Sequence, residues 1–454
     1  MGAADTTVPT AASGRDREFK VDYITRVEGE GSLVLQLREG EVTEARLRIF
    51  EAPRYFERLV VGRTGDEVID IVARICGICP IAYQMTAVHA FEDLYGVEVS
   101  PAVRQLRRLL YCAEYIQSHA LHVFMLHAPD FLGYPSVVAM AGDYRPVVEQ
   151  GLAIKKLGNR LISVLGGRPV HPVSVRVGGF SRVPWRRDLD GVRAELDEVV
   201  ELARATVGLV ASWSPPDHEH AQPLVALRHP AEYPYSDGRI VSTDGLDLAP
   251  GDWREAFEEH QVEGSNALHA RTHDGRAYLL GPTARIILDA DRLHPMAAEA
   301  YAATGLAGEI RSNVHRSIVA RAVELLGACA EARDIIDDYR APAAPRVPFT
   351  PRAGVAAWST EAPRGLLHHR YEVDEDGQVT AAQIVPPTSQ NQGAIEADLA
   401  AFAPRVLDLP HGEATQRLEM LIRAYDPCIS CATHFLDLRI IDRGREPERA
   451  PAAG

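Results

Sequence analysis

Apolar and polar residues alternate over residues 19 to 50, and this pattern predicts two β-strands. The segment GSLVLQLREGEVTEARLRIF places the turn between these strands near Glu39 and Gly40. A second segment, HRYEVDEDGQVTAAQIV, predicts a hairpin with its turn at Asp374 to Gly377. The sequence therefore predicts small β elements towards both ends of the chain.

A helical period of apolar residues covers most of the remaining chain. Four residues follow this spacing just before Cys76: Val68, Ile71, Val72 and Ile75. Ser100 and Pro101 have the chemistry of an N-cap and a first helical position, so a long helix is expected from there towards His127. Further helices are expected over residues 186–212, 293–327 and 395–425. These patterns predict a mainly α protein with small β elements, in the α+β class.

Two loop-rich segments, residues 212–223 and 341–354, interrupt the helical pattern. Either segment is a candidate domain boundary. The cysteine motifs described below lie outside both, so we expect residues 19–434 to form a single interwoven catalytic unit, preceded by a disordered tail at residues 1–18. His218 and His220 lie in the first loop, and we assign them ordinary structural roles.

Composition narrows the class of protein. The 454 residues are 46% hydrophobic and 24% charged, as expected for a soluble chain with a substantial core. The net charge of -15 argues against nucleic-acid binding. No run of apolar residues is long enough to span a membrane, and the first residues lack the pattern of a secretory signal, so we expect a cytoplasmic protein. Thiols in a reducing compartment are expected to be metal ligands or catalysts.

The most informative residues are two Cys-x-x-Cys pairs near opposite ends of the chain. Cys76 and Cys79 lie in RICGICP, and Cys428 and Cys431 lie in DPCISCATH. Spacing of i, i+3 allows both sulfurs of a pair to face one point. Four such thiols predict one soft-metal site that joins the two ends of the fold.

The segments around the pairs add local detail. The first pair is expected between a helix that ends and another that begins. In the second, Asp426 and Pro427 have N-cap and N1 chemistry, which predicts that Cys428 and Cys431 lie in the first turns of a helix. The helix dipole would favour thiolates there. Spacing alone leaves a structural zinc ion, an iron-sulfur cluster and a catalytic metal all open.

The cysteine motifs and their surroundings resemble the large subunit of nickel-iron hydrogenases. The resemblance runs in order from about residue 20 to His434. It is supported by five further segments: RVEGEG at 26–31, RYFERLVVGR at 54–63, QSHALHVFMLHAPDF at 117–131, EAPRG at 361–365 and VPPTSQNQ at 385–392. It implies a central helical bundle that the N- and C-terminal Cys-x-x-Cys motifs close.

The same resemblance implies the metals and the reaction. Cys76 and Cys428 would be terminal nickel ligands, and Cys79 and Cys431 would bridge nickel to an iron that carries carbon monoxide and cyanide. Such an enzyme cleaves H2 reversibly and heterolytically into protons and electrons. The Cys428 thiolate would take the proton, and Glu28 would relay it outward.

Other residues match supporting positions of the family. Arg364 would lie over the metals and hydrogen-bond cyanide, with Asp426 as its ionic partner. Thr388 or Ser389 would supply a hydroxyl to cyanide. Tyr83 stands where many members have a histidine that hydrogen-bonds a bridging cysteine, and its phenol can donate one bond. His119 is the histidine that we expect to support a metal ligand.

The resemblance also implies a second metal site and a maturation step. Glu57 and His434 would bind magnesium, with the backbone carbonyl of Gln383 as a third ligand. His434 also marks the processing site of the family. Residues 435–454 would therefore be a C-terminal extension that a maturation endopeptidase removes after nickel-insertion proteins have acted.

Details of these motifs resemble the cytoplasmic, bidirectional, NAD(P)-linked hydrogenases, including the sulfhydrogenases. The chain contains no dinucleotide-binding GxGxxG motif after a strand, and Cys112 and Cys329 cannot complete another four-thiol cluster. Electrons must therefore pass to an iron-sulfur small subunit, and a flavin diaphorase subunit would connect it to NAD(P). The alternatives are a deazaflavin, ferredoxin or sulfur as acceptor, or a zinc-stabilised scaffold without catalysis.

Overall fold

The structure of the chain is a computed structural model that describes residues 17–52 and 55–433. Its strands form small antiparallel sheets. The strands are β1 (Arg17–Val21), β2 (Gly31–Arg38), β3 (Glu41–Ile49), β4 (Val175–Arg176), β5 (Gly179–Phe180), β6 (Val225–Arg228), β7 (Arg239–Ser242), β8 (Asp247–Leu248), β9 (Phe257–Gln261), β10 (Leu268–Thr272), β11 (Gly354–Ala362), β12 (Gly365–Val373) and β13 (Val379–Val385).

Helices make up the larger part of the fold. They are α1 (Phe56–Leu59), α2 (Gly65–Val72), α3 (Pro80–Tyr95), α4 (Pro101–Ala120), α5 (Ala128–Leu132), α6 (Val137–Met140), α7 (Arg145–Gly166), α8 (Arg186–Ala211), α9 (Pro282–Asp289), α10 (Pro295–Thr304), α11 (Ala307–Ser312), α12 (Ser317–Asp337), α13 (Pro387–Phe402), α14 (His411–Ala424) and α15 (Ile429–Ala432). A π-helix, Leu121–His127, continues α4. The mainly α fold with small β elements is confirmed.

The centre of the molecule is a helical bundle. Helix α4 packs on α7 and α12, and α12 packs on α8. Gly158 of α7 permits a close approach, since a Cβ there would lie 2.8 Å from the backbone nitrogen of Gln117. One continuous cluster of buried apolar side chains extends from Val60 to Cys431. The bundle thus shares its core with both cysteine motifs.

Two three-stranded sheets confirm the predicted hairpins. The first has the order β1-β2-β3, with a turn at Glu39 and Gly40. The second has the order β11-β12-β13. Its β12–β13 turn is closed by a hydrogen bond from the Asp374 N–H to the carbonyl of Gln378, at 3.0 Å. A two-residue turn between β11 and β12 carries Arg364.

Helix ends agree with the prediction where a capping residue close in the sequence determines the end of the helix. The Ser100 hydroxyl accepts a hydrogen bond from the Val103 N–H at 3.3 Å, at the start of α4. The predicted helix over 186–212 is α8. Helix α2 ends at Val72, so Cys76 follows the helix in a turn.

Two other predicted helices are each several elements. The segment 293–327 contains α10, α11 and the start of α12, because the chain turns at Gly305 (φ 65°) and is extended at Asn313. The segment 395–425 contains the end of α13 and α14, with the prolines Pro404 and Pro410 between them. Among residues 17–52 and 55–433, we find no helix whose length and apolar character suit a membrane crossing.

Candidate metal centre

The four motif cysteines meet at one point inside the molecule. Their Sγ atoms all lie within 4.8 Å of one another, and all four residues are buried. The Cys76 and Cys428 sulfurs are 3.6 Å apart although these residues are at opposite ends of the sequence. The predicted joining of the two motifs is confirmed, and the site has the thiol-only composition that soft metals prefer.

The local backbone differs between the two motifs. Cys79 is the N-cap of α3, and Pro80 is its first residue, so the first pair lies between two helices as predicted. Behind this helix start, the buried carboxylate of Glu114 accepts hydrogen bonds from the N–H groups of Ile81 (2.6 Å) and Ala82 (3.1 Å). Glu114 thereby holds the N-terminus of α3, a role that its position inside a helical pattern did not suggest.

The predicted N-cap role of Asp426 is wrong. Helix α15 begins at Ile429, and its N-cap is Cys428. Asp426 has a left-handed backbone (φ 55°), and its side chain is directed to a buried guanidinium instead. The ionic partner, which the sequence pattern alone does not reveal, outweighs the capping preference.

A helix of four residues provides little dipole to favour a thiolate. Burial raises the pKa of the Cys428 thiol well above its usual range, and the neighbouring thiols add to this effect. Burial also raises the pKa of Cys431. A bound cation favours the ionised form of such buried thiols, as it does in metal-binding cysteines.

The N-terminal segment reaches the second cysteine motif through Glu28. The carbonyl of Glu28 accepts a hydrogen bond from the Ile429 N–H at 2.8 Å, in a short parallel bridge. One oxygen of its carboxylate, Oε2, lies 3.0 Å from the Cys428 Sγ and accepts the Ser430 N–H at 3.1 Å. The predicted neighbours Glu28 and Cys428 are thus in direct hydrogen-bond contact.

Gly29 makes this approach possible. Its φ of +88° is in the left-handed region, and an added Cβ would lie 2.8 Å from both Ile429 Cβ and the Ser430 nitrogen. Only glycine fits such a position without displacing its neighbours. Beyond it, the Glu51 carboxylate accepts the Ser430 hydroxyl at 3.0 Å. No sequence pattern distinguishes Glu51 from other acidic side chains.

Arg364 is buried beside the thiols. Its Nε donates to the Asp426 carbonyl at 2.7 Å, and its Nη2 donates to the Asp426 carboxylate at 2.9 Å. Burial lowers the pKa of Arg364, but Asp426 and the nearby cysteines, Cys428 first, raise it well above its usual range. The remaining nitrogen, Nη1, has no hydrogen-bond partner among the described residues. This charged group beside the four thiols could donate a hydrogen bond to an anionic or polar ligand of a bound metal.

Three supporting residues differ in how closely they follow their predicted positions. The Thr388 hydroxyl contacts the second motif, where it accepts the Cys428 N–H at 3.0 Å. Tyr83 is buried in α3, but its hydroxyl has no hydrogen-bond partner in the described part of the chain. His119 contacts the Glu324 carboxylate through Nε2 at 2.8 Å, and its Nδ1 bonds to no described residue. Tyr83 therefore does not make the cysteine hydrogen bond that the resemblance implied, and the described contact of His119 is with Glu324.

Two of the three residues predicted for the second metal site, Glu57 and Gln383, lie in the described part of the chain. The Glu57 carboxylate accepts the Ile384 N–H at 2.7 Å, directly after Gln383 in β13. The Gln383 side chain donates to Glu259 at 2.8 Å, and Gln383 pairs with Arg370 of β12. His434 lies outside the described residues. A small cavity of about 20 Å³ adjoins Glu57, and its lining includes Phe56, Ile75, Ile384, Ser430, Cys431 and Thr433.

Comparison with known proteins identifies the class. The family model for nickel-dependent hydrogenases matches residues 54–144 and 267–434. Among curated proteins, the alpha subunits of sulfhydrogenases 1 and 2 of Pyrococcus furiosus are each 33% identical to this chain. They are matched over 432 and 430 residues, which is 92% of this chain in both cases and 98% and 100% of the relatives.

Solved structures give the same result for the fold. A chain of an NAD+-reducing nickel-iron hydrogenase in the H2-reduced state superimposes with a TM-score of 0.83. It is 27% identical, with 92% of this chain and all of that chain covered. A nickel-iron-selenium hydrogenase of Desulfovibrio vulgaris Hildenborough has a TM-score of 0.73 at 22% identity, and shares the fold over 92% of this chain and all of that one.

The fold and the four-thiol site are therefore those of a nickel-iron hydrogenase large subunit. This chain belongs to the nickel-dependent hydrogenase family and is a catalytic subunit that acts on H2.

Proposed function

We propose that this chain is the catalytic subunit of a cytoplasmic hydrogenase complex that exchanges electrons between H2 and NAD(P). The observation that carries the proposal is the contact between a cysteine of the four-thiol site and a partly exposed carboxylate, Cys428 Sγ to Glu28 Oε2 at 3.0 Å. Heterolytic cleavage of H2 needs a base at the metal and an acceptor that carries the proton away. Cys428 and Glu28 have these two properties.

The four thiols fit a nickel-iron centre with carbon monoxide and cyanide on iron. Cys76 and Cys428 would be terminal ligands of nickel, and Cys79 and Cys431 would bridge the two metals. When bound, this group supplies the soft, redox-active metals that polarise H2 and accept its electrons. The unpartnered Nη1 of Arg364 supports this composition, because cyanide nitrogen is an acceptor for a buried guanidinium.

The side chains of this chain handle the proton. Cys428 holds it at Sγ, and Glu28 accepts it at Oε2. The Ser430 N–H, which donates to the same Glu28 oxygen at 3.1 Å, keeps the carboxylate oriented towards the sulfur. Arg364 and Asp426 hold each other in one orientation beside the thiols, and the Thr388 hydroxyl fixes the Cys428 backbone while its own hydrogen can serve cyanide.

A second, hard-metal site would be completed by Glu57, His434 and the Gln383 carbonyl. Carboxylate and carbonyl oxygens suit Mg²⁺, which keeps several water ligands. The cavity of about 20 Å³ beside Glu57 has room for about one water molecule or ion. Cleavage after His434 would remove residues 435–454 once nickel-insertion proteins have delivered the metal.

Electron transfer requires partners, because this sequence has neither a nucleotide-binding motif nor a second four-thiol set. We propose an iron-sulfur small subunit and, beyond it, a flavin diaphorase subunit. Exposed apolar side chains in the N-terminal segment, Tyr23, Phe50 and Leu59, are suited to a protein contact. Residues 19–434 would act as a single interwoven catalytic unit, as the shared core of bundle and cysteine motifs supports.

The test is metal analysis and infrared spectroscopy of the complex, purified without air. Equal amounts of nickel and iron, with bands of carbon monoxide and cyanide, are expected. Zinc alone at the four thiols would overturn the proposal. The acceptor is then determined by H2-dependent reduction of NAD+, NADP+ and a deazaflavin in parallel assays. Because two relatives are named sulfhydrogenases, elemental sulfur is included as the second candidate acceptor.

A further inference from the structure

A second cluster of potential metal ligands lies away from the four cysteines. It consists of His218 and His220, in the loop that follows α8, and Asp398 of α13. One oxygen of Asp398, Oδ1, is 3.2 Å from His218 Nε2 and 2.5 Å from His220 Nδ1. One nitrogen from each ring and one carboxylate oxygen thus lie within 4.8 Å of one another.

These distances agree with a common metal ion. Zinc ligands bind at about 2.0–2.1 Å, which places tetrahedral neighbours about 3.3 Å apart. The separation of His218 Nε2 from Asp398 Oδ1 already has this value, and His220 would move outward by under about 1 Å. His220 can make this adjustment because its side chain is 31% exposed, while the side chains of His218 and Asp398 are 1% exposed.

The surroundings orient the carboxylate as a ligand. Oδ2 of Asp398 is held by the Tyr425 hydroxyl at 2.5 Å, and Tyr425 in turn accepts from the Gln222 amide at 3.0 Å. Such hydrogen bonds to the outer oxygen are the usual support of a metal-binding carboxylate. Oδ1 is therefore directed to the histidines by a fixed side chain.

A third histidine gives independent support for a ligand. His315 is fully buried, and neither of its ring nitrogens has a hydrogen-bond partner among the described residues. Its ring centre lies 6.3 Å from that of His218. A buried imidazole normally satisfies at least one nitrogen, so this unpartnered ring beside His218 indicates a polar group or ion bound next to it.

The cluster is accessible from outside. A surface cavity of about 760 Å³ is lined by His218 together with Asp217, Glu219, Asn313 and Arg316. The cavity and the partly exposed His220 side chain place the cluster close to the surface. Two imidazoles and one carboxylate are a ligand set for a divalent transition metal of the zinc type, not for Mg²⁺ or Ca²⁺.

We propose that His218, His220 and Asp398 bind one divalent transition-metal ion, with a water molecule in the fourth position beside the unpartnered ring of His315. This ion would be separate from the metals at the four thiols and would fasten the loop at residues 212–223 to α13. The same helix carries Thr388 at its start, so the ion would stabilise the support of the second cysteine motif.

The experiment compares the purified, metal-loaded complex with its His220→Gln variant after both have been dialysed against Zn²⁺ and freed of excess ion. The wild type is expected to retain one zinc equivalent that the variant lacks, and zinc affinity in the variant should fall by at least about tenfold. The matched control is His294→Gln, since His294 forms a surface pair with Asp334 at 3.0 Å but has no second imidazole. This control should retain the wild-type zinc content.

Two outcomes would overturn the proposal: equal zinc content in the wild type and in His220→Gln, or no zinc in either. The His–Asp–His cluster would then be only a hydrogen-bonded triad. H2 oxidation and the melting temperature are measured in both proteins to verify folding. Co²⁺ provides a second readout, because its spectrum distinguishes nitrogen and oxygen ligands from thiolates. The comparison is a difference between variants, so it does not depend on which metals occupy the four thiols.

Discussion

Replacement of Glu28 by glutamine tests the proton path most directly. Glutamine keeps the size of the side chain and an oxygen that can accept the Ser430 N–H, but it cannot take a proton from Cys428. Removal of a positioned acid-base group typically costs a factor of about 10²–10⁴ in rate, which corresponds to roughly 2.7–5.4 kcal/mol in activation free energy. We therefore expect H2 oxidation in the variant to fall by about 10²–10⁴.

Two further variants separate proton transfer from structural damage. Glu28→Asp keeps the carboxylate but withdraws it by about 1.5 Å, beyond direct contact with a sulfur that is now 3.0 Å away. Its rate should be intermediate, since a water molecule can bridge the gap. Glu30→Gln, at an exposed position two residues away, should behave as the wild type.

The assay is H2 oxidation with an artificial one-electron dye, together with exchange between H2 and D2O. Nickel and iron contents and the infrared bands are measured on the same samples. Both activities should fall together in Glu28→Gln while the metals are retained. A fully loaded Glu28→Gln enzyme with a rate within about threefold of the wild type would refute the role of Glu28, because such a loss is far below that of an acid-base group.

Three other substitutions test the supports of the site. Gly29→Ala forces a side chain against the Ser430 backbone, so we expect lower metal content and a loss of about 1–3 kcal/mol in stability. Wild-type metal content and stability in this variant would show that the chain around Gly29 can move to accommodate the side chain. Asp426→Asn leaves the Arg364 guanidinium without its partner in a buried pair and should cost about 3–5 kcal/mol in thermal unfolding experiments, whereas an unchanged melting temperature would contradict this. Burial raises the pKa of Asp289 to about 8, so this carboxyl binds a proton in the folded protein that the unfolded chain has lost. Its destabilising effect therefore grows as pH rises from about 4 to about 8, and Asp289→Asn should raise the melting temperature more at pH 8 than at pH 5.

The sequence predicted those parts of the fold that depend on neighbours in the chain. The cap at Ser100 and the turn at Asp374 to Gly377 follow from local side-chain and backbone preferences, and both are confirmed. The same reasoning failed for Asp426, where a partner 62 residues away in the chain, Arg364, takes the carboxylate. The apolar period also predicted one continuous helix in each of two segments where the structure has a break, at Gly305 and before Pro410. The helical spacing of apolar residues continues across both breaks.

The meeting of the four cysteines was predictable from the sequence, but the side chains that support them were less so. Cys-x-x-Cys spacing allows the two sulfurs of a pair to face the same point. A site of four thiols then requires only that the two ends of the chain lie together. The hydrogen bonds of Glu114 behind α3, by contrast, depend on which helix packs against that N-terminus. Tyr83 and His119 illustrate the same limit, since burial alone does not specify the hydrogen-bond partner of a side chain.

Metal binding and folding are closely coupled at the second cysteine motif. Helix α15 has four residues. Isolated helices of that length are not stable, because the unfavourable free energy of helix nucleation exceeds the stabilisation that a single turn provides. Its backbone is held by the Glu28 carbonyl at the Ile429 N–H and by the Thr388 hydroxyl at the Cys428 N–H. Both contacts also determine where the Cys428 sulfur lies relative to Glu28. A metal that joined this motif to the first one would therefore stabilise the geometry that the proposed proton transfer requires, so that assembly of the centre would also align the proton path.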